Sequence, residues 1–125
     1  MTKPKEVYKC EVCGIVVEAI EGGAGEPVCC GQPMTLLEAK TEDASNEKHV
    51  PYIERTAEGV EVRVGKETAH PMEDKHFIQW IELTAGDVVM YKRLTPDDEP
   101  AATFPAVDGE LSARELCNVH GLWKS

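Results

Sequence analysis

A thiol and an imidazole three residues apart can bind one metal ion, and the stretch Arg114-Glu115-Leu116-Cys117-Asn118-Val119-His120-Gly121 carries such a pair in Cys117 and His120. Cys117 is the only cysteine after Cys30, so no neighbouring thiol completes a thiolate cage around it. Its partners must be histidines from upstream. The chain has four histidines, His49, His70, His76 and His120, all in its C-terminal part. Taken singly, each histidine is more often a surface or satisfied side chain, and a lone cysteine is more often buried and inert.

The remaining cysteines fall close together: Cys10 and Cys13 in Tyr-Lys-Cys-Glu-Val-Cys-Gly, then Cys29 and Cys30 in Val-Cys-Cys-Gly. Cys-x-x-Cys-Gly is a turn that aims two sulfurs at one ion, its glycine letting the backbone curl so that N–H groups face the thiolates. Zinc and iron both accept four thiolates, so this spacing leaves the metal open. The plainest alternative is a structural zinc ribbon without chemistry. The adjacent pair Cys29-Cys30 has little freedom to place both sulfurs ideally, and a distorted tetrahedron is expected. Five cysteines is an odd number, which a closed disulfide framework would not use up.

With those four cysteines assigned to one site, the leftover cysteine and the four histidines make a second set of five donors with none spare. Five donors fill an octahedron except for one position. That set does not suit zinc, which prefers four ligands, but it suits iron. Ferrous iron with one thiolate and neutral imidazoles carries a single net positive charge, so a small anion is its natural further ligand. Glu47 and Lys48 directly precede His49. Lys48 could draw an anion to the open position, and Glu47 could occupy that position as a removable carboxylate. Without the site next door, both read as solvated linker charges.

The elements that must position these donors are short strands. Ile15 to Ile20 reads as a strand, Glu21 to Gly25 as a turn and Met34 to Leu37 as a return strand. So small a segment buries too little apolar surface to fold alone, and four thiolates around a metal would staple it. Glu38 to Lys48 is polar and without apolar period, a linker, with the boundary near residue 40. From His49 onward, Val60, Val62 and Val64 alternate with Glu61 and Arg63. His76 to Leu83, Val88 to Leu94, Ala101 to Val107 and Leu111 to Leu116 continue the series, separated by turn signals such as Ala85-Gly86-Asp87 and Asp108-Gly109. This spacing predicts a β-sandwich or barrel, with Cys117 and His120 following the last strand and the other histidines in loops or at strand ends. No long helix, repeat or low-complexity tract is evident.

The composition narrows the function classes. At 125 residues, 42% hydrophobic and 29% charged, the chain has the size and make-up of one ordinary domain, or a modest domain with a small one. A net charge of −10 argues against nucleic acid or an anionic membrane as partner. The polar segment from Met1 to Lys9 lacks the apolar core of a signal peptide, and no stretch is long enough to span a bilayer. A cytoplasmic location, with reduced cysteines acting as ligands, is expected.

These motifs together resemble the desulfoferrodoxins, the two-domain superoxide reductases. The residues that carry the resemblance are Tyr8 to Gly14 with Val28-Cys29-Cys30-Gly31, then Glu47-Lys48-His49-Val50-Pro51, Ala69-His70-Pro71-Met72-Glu73-Asp74-Lys75-His76, and Cys117-Asn118-Val119-His120-Gly121. The likeness covers essentially the whole chain. It implies a mostly β protein: a small desulforedoxin-like or rubredoxin-like domain over residues 1–38, then an immunoglobulin-like β-sandwich over residues 39–125. It implies two irons, with no haem and no organic cofactor. One would sit on Cys10, Cys13, Cys29 and Cys30. The other, catalytic, would sit on equatorial His49, His70, His76 and His120 with axial Cys117, His120 binding through the ring nitrogen nearer the backbone. The implied reaction joins superoxide, one electron and two protons to give hydrogen peroxide, with no oxygen released. Lys48 and Glu47 are its implied catalytic side chains, a rubredoxin its implied electron donor, and a homodimer its implied assembly. An electron-transfer protein and a non-haem iron oxygenase are the competing classes. The oxygenase needs more open positions than five donors leave.

Overall fold

A computed structural model describes residues 1–41, 49–66 and 68–125. Among them the secondary structure is all β, and the chain divides into two compact units, Met1–Glu38 and Ala39–Ser125.

In the first unit, β1 (Val7–Lys9) is flanked antiparallel by β2 (Val16–Glu18) and β5 (Thr35–Leu37). The hairpin of β3 (Val28–Cys29) and β4 (Gln32–Pro33) turns on Cys30 and Gly31, both at positive φ (52° and 75°). Two left-handed residues in succession suit the twist of a tight two-residue turn, which explains the glycine there. Sequence periodicity gave no sign of this hairpin, because its two-residue strands are shorter than any repeat.

The second unit is a sandwich. One sheet has the order β10-β7-β6, from β6 (Pro51–Thr56), β7 (Gly59–Val64) and β10 (Ala101–Phe104). The other has the order β12-β11-β8-β9, from β8 (Ile78–Ala85), β9 (Val88–Arg93), β11 (Leu111–Cys117) and β12 (Gly121–Lys124). Every pairing is antiparallel, and the strand order is that of an immunoglobulin-like sandwich. Alternation sets the inner faces: Val60, Val62 and Val64 meet Ile81, Leu83, Ala113 and Cys117 in one core. Full burial of a side chain such as Ile81 or Leu83 contributes about 1.5–3 kcal/mol.

Two sequence expectations are corrected. The strand Leu111 to Leu116 is not the last: Cys117 is its final residue, and β12 follows, so Cys117 stands at the end of a hairpin whose turn carries His120. Gly-Leu-Trp-Lys is too short to show a period. The tract from Glu38 is also not all linker. Lys40 N donates to Leu122 O and Lys124 N to Lys40 O, each at 2.9 Å, adding Lys40 as a parallel bridge on the edge of β12.

On the outer face of the larger sheet, Glu82 is fully buried yet charged. Arg114 grips it bidentately, Nε to Oε1 at 2.7 Å and Nη2 to Oε2 at 2.9 Å, and Tyr91 Oη donates to Oε2 at 2.6 Å. Three donors on one carboxylate compensate its lost hydration.

Candidate metal centres

The four N-terminal sulfurs converge although they come from two turns. Cys10 directly follows β1, and its Sγ accepts from Cys13 N at 3.4 Å across the Cys-x-x-Cys-Gly turn, where Gly14 stands at φ 85°. Cys29 closes β3, and Cys30 occupies the left-handed turn position that swings its thiol to the same side. Cys13 Sγ and Cys29 Sγ lie 3.7 Å apart, Cys29 Sγ and Cys30 Sγ 3.9 Å. A tetrahedron with metal–sulfur bonds of ~2.3 Å has edges of roughly 3.8 Å. The Cys13 amide holds the Cys10 thiol down to about 6, whereas hydrogen bonding with Cys10 and Cys13 pushes Cys29 up to about 12. One thiolate thus forms readily and the crowd resists the next, a set completed by a cation that displaces the protons. All five cysteines are thiols outside any disulfide.

In the sandwich, five donor atoms from His49, His70, His76, Cys117 and His120 lie within 4.8 Å of one another. Adjacent ring centroids are 4.8 Å apart for His49–His70, 4.8 Å for His70–His76, 5.0 Å for His76–His120 and 4.6 Å for His49–His120. The four imidazoles therefore close a ring in the order 49-70-76-120, each edge-on to its neighbours. His70 and His120 are opposite corners, and Cys117 Sγ touches both, at 3.6 Å from His70 Nε2 and 3.9 Å from His120 Nδ1. A donor that touches two opposite corners lies off the square, on its axis. His49 Nε2 and His120 Nδ1 are 3.0 Å apart, and neighbouring nitrogens each ~2.1 Å from an ion would be roughly 3 Å apart.

Each donor is placed by a specific device. His49 directly precedes β6 by way of Val50 and is buried. His70 N bonds Val64 O at 3.1 Å over Gly65, whose φ is 91° and where a Cβ would overlap the Thr68 carbonyl. His70 Nδ1 donates to Pro71 O at 2.7 Å, which leaves Nε2 free to act as a ligand. His76 closes a tight turn in which Glu73 and His76 exchange both backbone bonds, at 2.9 and 3.0 Å. Asn118 clamps both sides of that histidine: Nδ2 donates to Lys75 O at 3.1 Å, and Oδ1 accepts from Phe77 N at 2.9 Å. Cys117 is aimed by a β-bulge, since Leu116 pairs with Trp80 but Cys117 pairs with Ile78, leaving Gln79 over. Cys117 Sγ also accepts from His120 N at 3.4 Å.

The chemistry of the set fits iron. Burial drives His70 down to about 4, and the three neighbouring imidazoles push the same way against its hydrogen bond to Pro71, so it is neutral and able to ligate near neutral pH. His76 Nε2 is buried without a hydrogen-bond partner among the described residues, which costs about 1–3 kcal/mol unless another group meets it. Glu47 and Lys48 lie outside the described residues. Sequence reasoning singled out all nine donors but not Gly65, Asn118, Lys40 or Trp123. For Asn118 the available signal was its place between two ligands.

Comparison with known proteins decides the family. The family model described as desulfoferrodoxin matches residues 41–125, and that described as desulfoferrodoxin, N-terminal domain, matches residues 2–37.

The chain belongs to the desulfoferrodoxin family.

Among desulfoferrodoxins it is 58% identical to the protein of that name from Syntrophotalea carbinolica over 125 residues, covering 100% of this chain and 98% of the relative. A superoxide reductase from Pyrococcus abyssi is 40% identical over 104 residues, covering 69% of this desulfoferrodoxin and 90% of that protein. The crystal structure of the superoxide reductase from Treponema pallidum matches with a TM-score of 0.77 at 30% identity, covering 96% of each chain.

Proposed function

We propose that this desulfoferrodoxin is a superoxide reductase with iron on two donor sets, Cys10, Cys13, Cys29 and Cys30 in the domain of residues 1–38, and His49, His70, His76, His120 and Cys117 in the domain of residues 39–125. The observation that carries the catalytic assignment is the closed square of imidazoles with Cys117 on its axis. These five donors would hold one iron and leave it able to take a further small ligand. Iron held there would supply the electron and the Lewis acidity that the reduction needs. The overall reaction takes one superoxide, one electron and two protons to one hydrogen peroxide.

The residues divide the remaining work. The four imidazoles hold the geometry without adding negative charge, which favours an anion as the further ligand of a bound cation. Cys117 would supply a thiolate that donates electron density to a bound iron and so helps peroxide leave. Its hydrogen bond from His120 N moderates that donation. From their place in the sequence directly before His49, Lys48 would counter part of the net charge of −10 for an anionic substrate, and Glu47 would supply a removable carboxylate ligand. A small rubredoxin-like protein returns the electron, and the working assembly is a homodimer in the cytoplasm. Among the described residues no helix is long and apolar enough to cross a membrane.

The test is pulse-generated superoxide with peroxide and oxygen both measured against reduced protein. One peroxide per superoxide with no oxygen is expected. Half an oxygen per superoxide would mean dismutation and would overturn the assignment.

A further inference from the structure

Trp123 touches the site in two ways that filling a core does not require. Its ring stacks on His49 with centroids 4.6 Å apart and an interplanar angle of 13°, a parallel pair beside four edge-on imidazole contacts of 64–84°. Its Nε1 donates to His120 O at 3.2 Å. The indole therefore meets two donors from opposite ends of the sandwich sequence, the ring of one and the main chain of the other. Lys40 holds the indole in turn. Its main chain bridges that of Trp123 on the edge of β12, its Nζ lies 5.1 Å from the ring centroid, and the same Nζ donates to His120 O at 3.1 Å. The His120 carbonyl thus accepts from both residues.

We propose that Trp123 and Lys40 are the positioning pair of the five-donor site. Trp123 sets the plane of His49 and pins the turn that carries His120, and Lys40 locks Trp123 while placing a positive charge beside the His120 end. A flat indole stacked on an imidazole permits sliding but resists tilting, so His49 keeps Nε2 aimed at the ion. The ammonium sits over the electron-rich face of the indole, which anchors it. A fixed cation near the site favours the ferrous over the ferric form.

The inference rests on the five donors holding iron. The experiment uses the full chain with both irons, in native form and as Lys40→Met, Lys40→Arg, Trp123→Phe and Trp123→Leu. Two quantities are read: the midpoint potential of the five-donor iron, and the rate at which a ferrous chelator strips it. Lys40→Met should lower the potential and speed iron loss several-fold, while Lys40→Arg stays close to native in both. Trp123→Leu should speed loss on the order of tenfold or more, with Trp123→Phe between, since it keeps a stacking face but no donor. A native potential and native iron loss in Lys40→Met would remove Lys40 from the site. Lys40→Arg behaving like Lys40→Met would show that charge is not its contribution. Iron loss at the native rate in Trp123→Phe and Trp123→Leu, even with a lowered thermal midpoint, would reduce Trp123 to core filling. Absence of the second iron from the native protein would instead refute the site itself.

Discussion

His49 Nε2 and His120 Nδ1 lie 3.0 Å apart although 71 residues separate them in the chain. The two nitrogens differ in kind because the two histidines arrive differently. His49 reaches in from the start of β6 by its far nitrogen. His120 sits on the turn between β11 and β12, so close to Cys117 that only its near nitrogen points the same way. Loss of any device that holds such a meeting point should cost metal before it costs fold.

Asn118 is the most direct case. Its amide binds the main chain on both sides of His76, so Asn118→Ala frees the turn that carries this donor. Iron affinity of the five-donor site should fall ~10–100-fold, the usual effect of losing a group that orients a ligand. The thermal midpoint of the metal-free chain should fall little. Iron per chain, titrated against a competing chelator, checks this, and undiminished affinity would count against the clamp.

Gly65 should tolerate no side chain. At φ 91°, with the Thr68 carbonyl where a Cβ would go, Gly65→Ala must shift the loop that brings in His70. A left-handed strain alone costs about 1–3 kcal/mol, and the overlap adds to it. Both stability and iron content of the five-donor site should drop. Urea unfolding and metal analysis measure the two, and a native-like variant would show that the loop relaxes freely.

Acid should destabilise the metal-free protein through His70. Its folded value, about 4, lies below its ordinary 6.5, so between these values the unfolded chain binds more protons. The stabilisation is complete above the unfolded value and is lost as pH falls toward the folded one, at up to about 1.4 kcal/mol per pH unit. Urea midpoints of metal-free protein across that window should decline with acid. The decline should be shallower in His70→Gln. Equal slopes in the two proteins would assign the acid sensitivity elsewhere.

Glu82 tests the sheet rather than the site. Glu82→Ala removes the buried carboxylate to which Arg114 and the half-exposed Tyr91 both donate, and should destabilise by about 1–3 kcal/mol. Superoxide reduction by the variant at a temperature where it remains folded should be close to native. A stability loss below 1 kcal/mol would mean, by the same estimate, that water replaces the carboxylate.

The donors were legible in the sequence because ligation is a property of residue types. Four cysteines in two tight turns, and one cysteine with four histidines left over, already divide into two sets. Alternating valines gave β7, and most of the sandwich strands followed from turn signals between apolar runs. The β3–β4 hairpin and β12 did not, because two to four residues are too few for a period to show.

What the sequence determined, then, was the inventory: which atoms can hold metal, and that strands must carry them. The cyclic order of the four imidazoles, the contacts of Cys117 with His70 and His120, and the supporting contacts of Gly65, Asn118, Lys40 and Trp123 were decided by the tertiary structure alone. The reason is physical. Spacing along a chain limits reach only over a few residues. Which atoms meet across 71 residues depends on strand register, on the bulge that turns Cys117 inward and on how the β11–β12 hairpin closes against the start of β6.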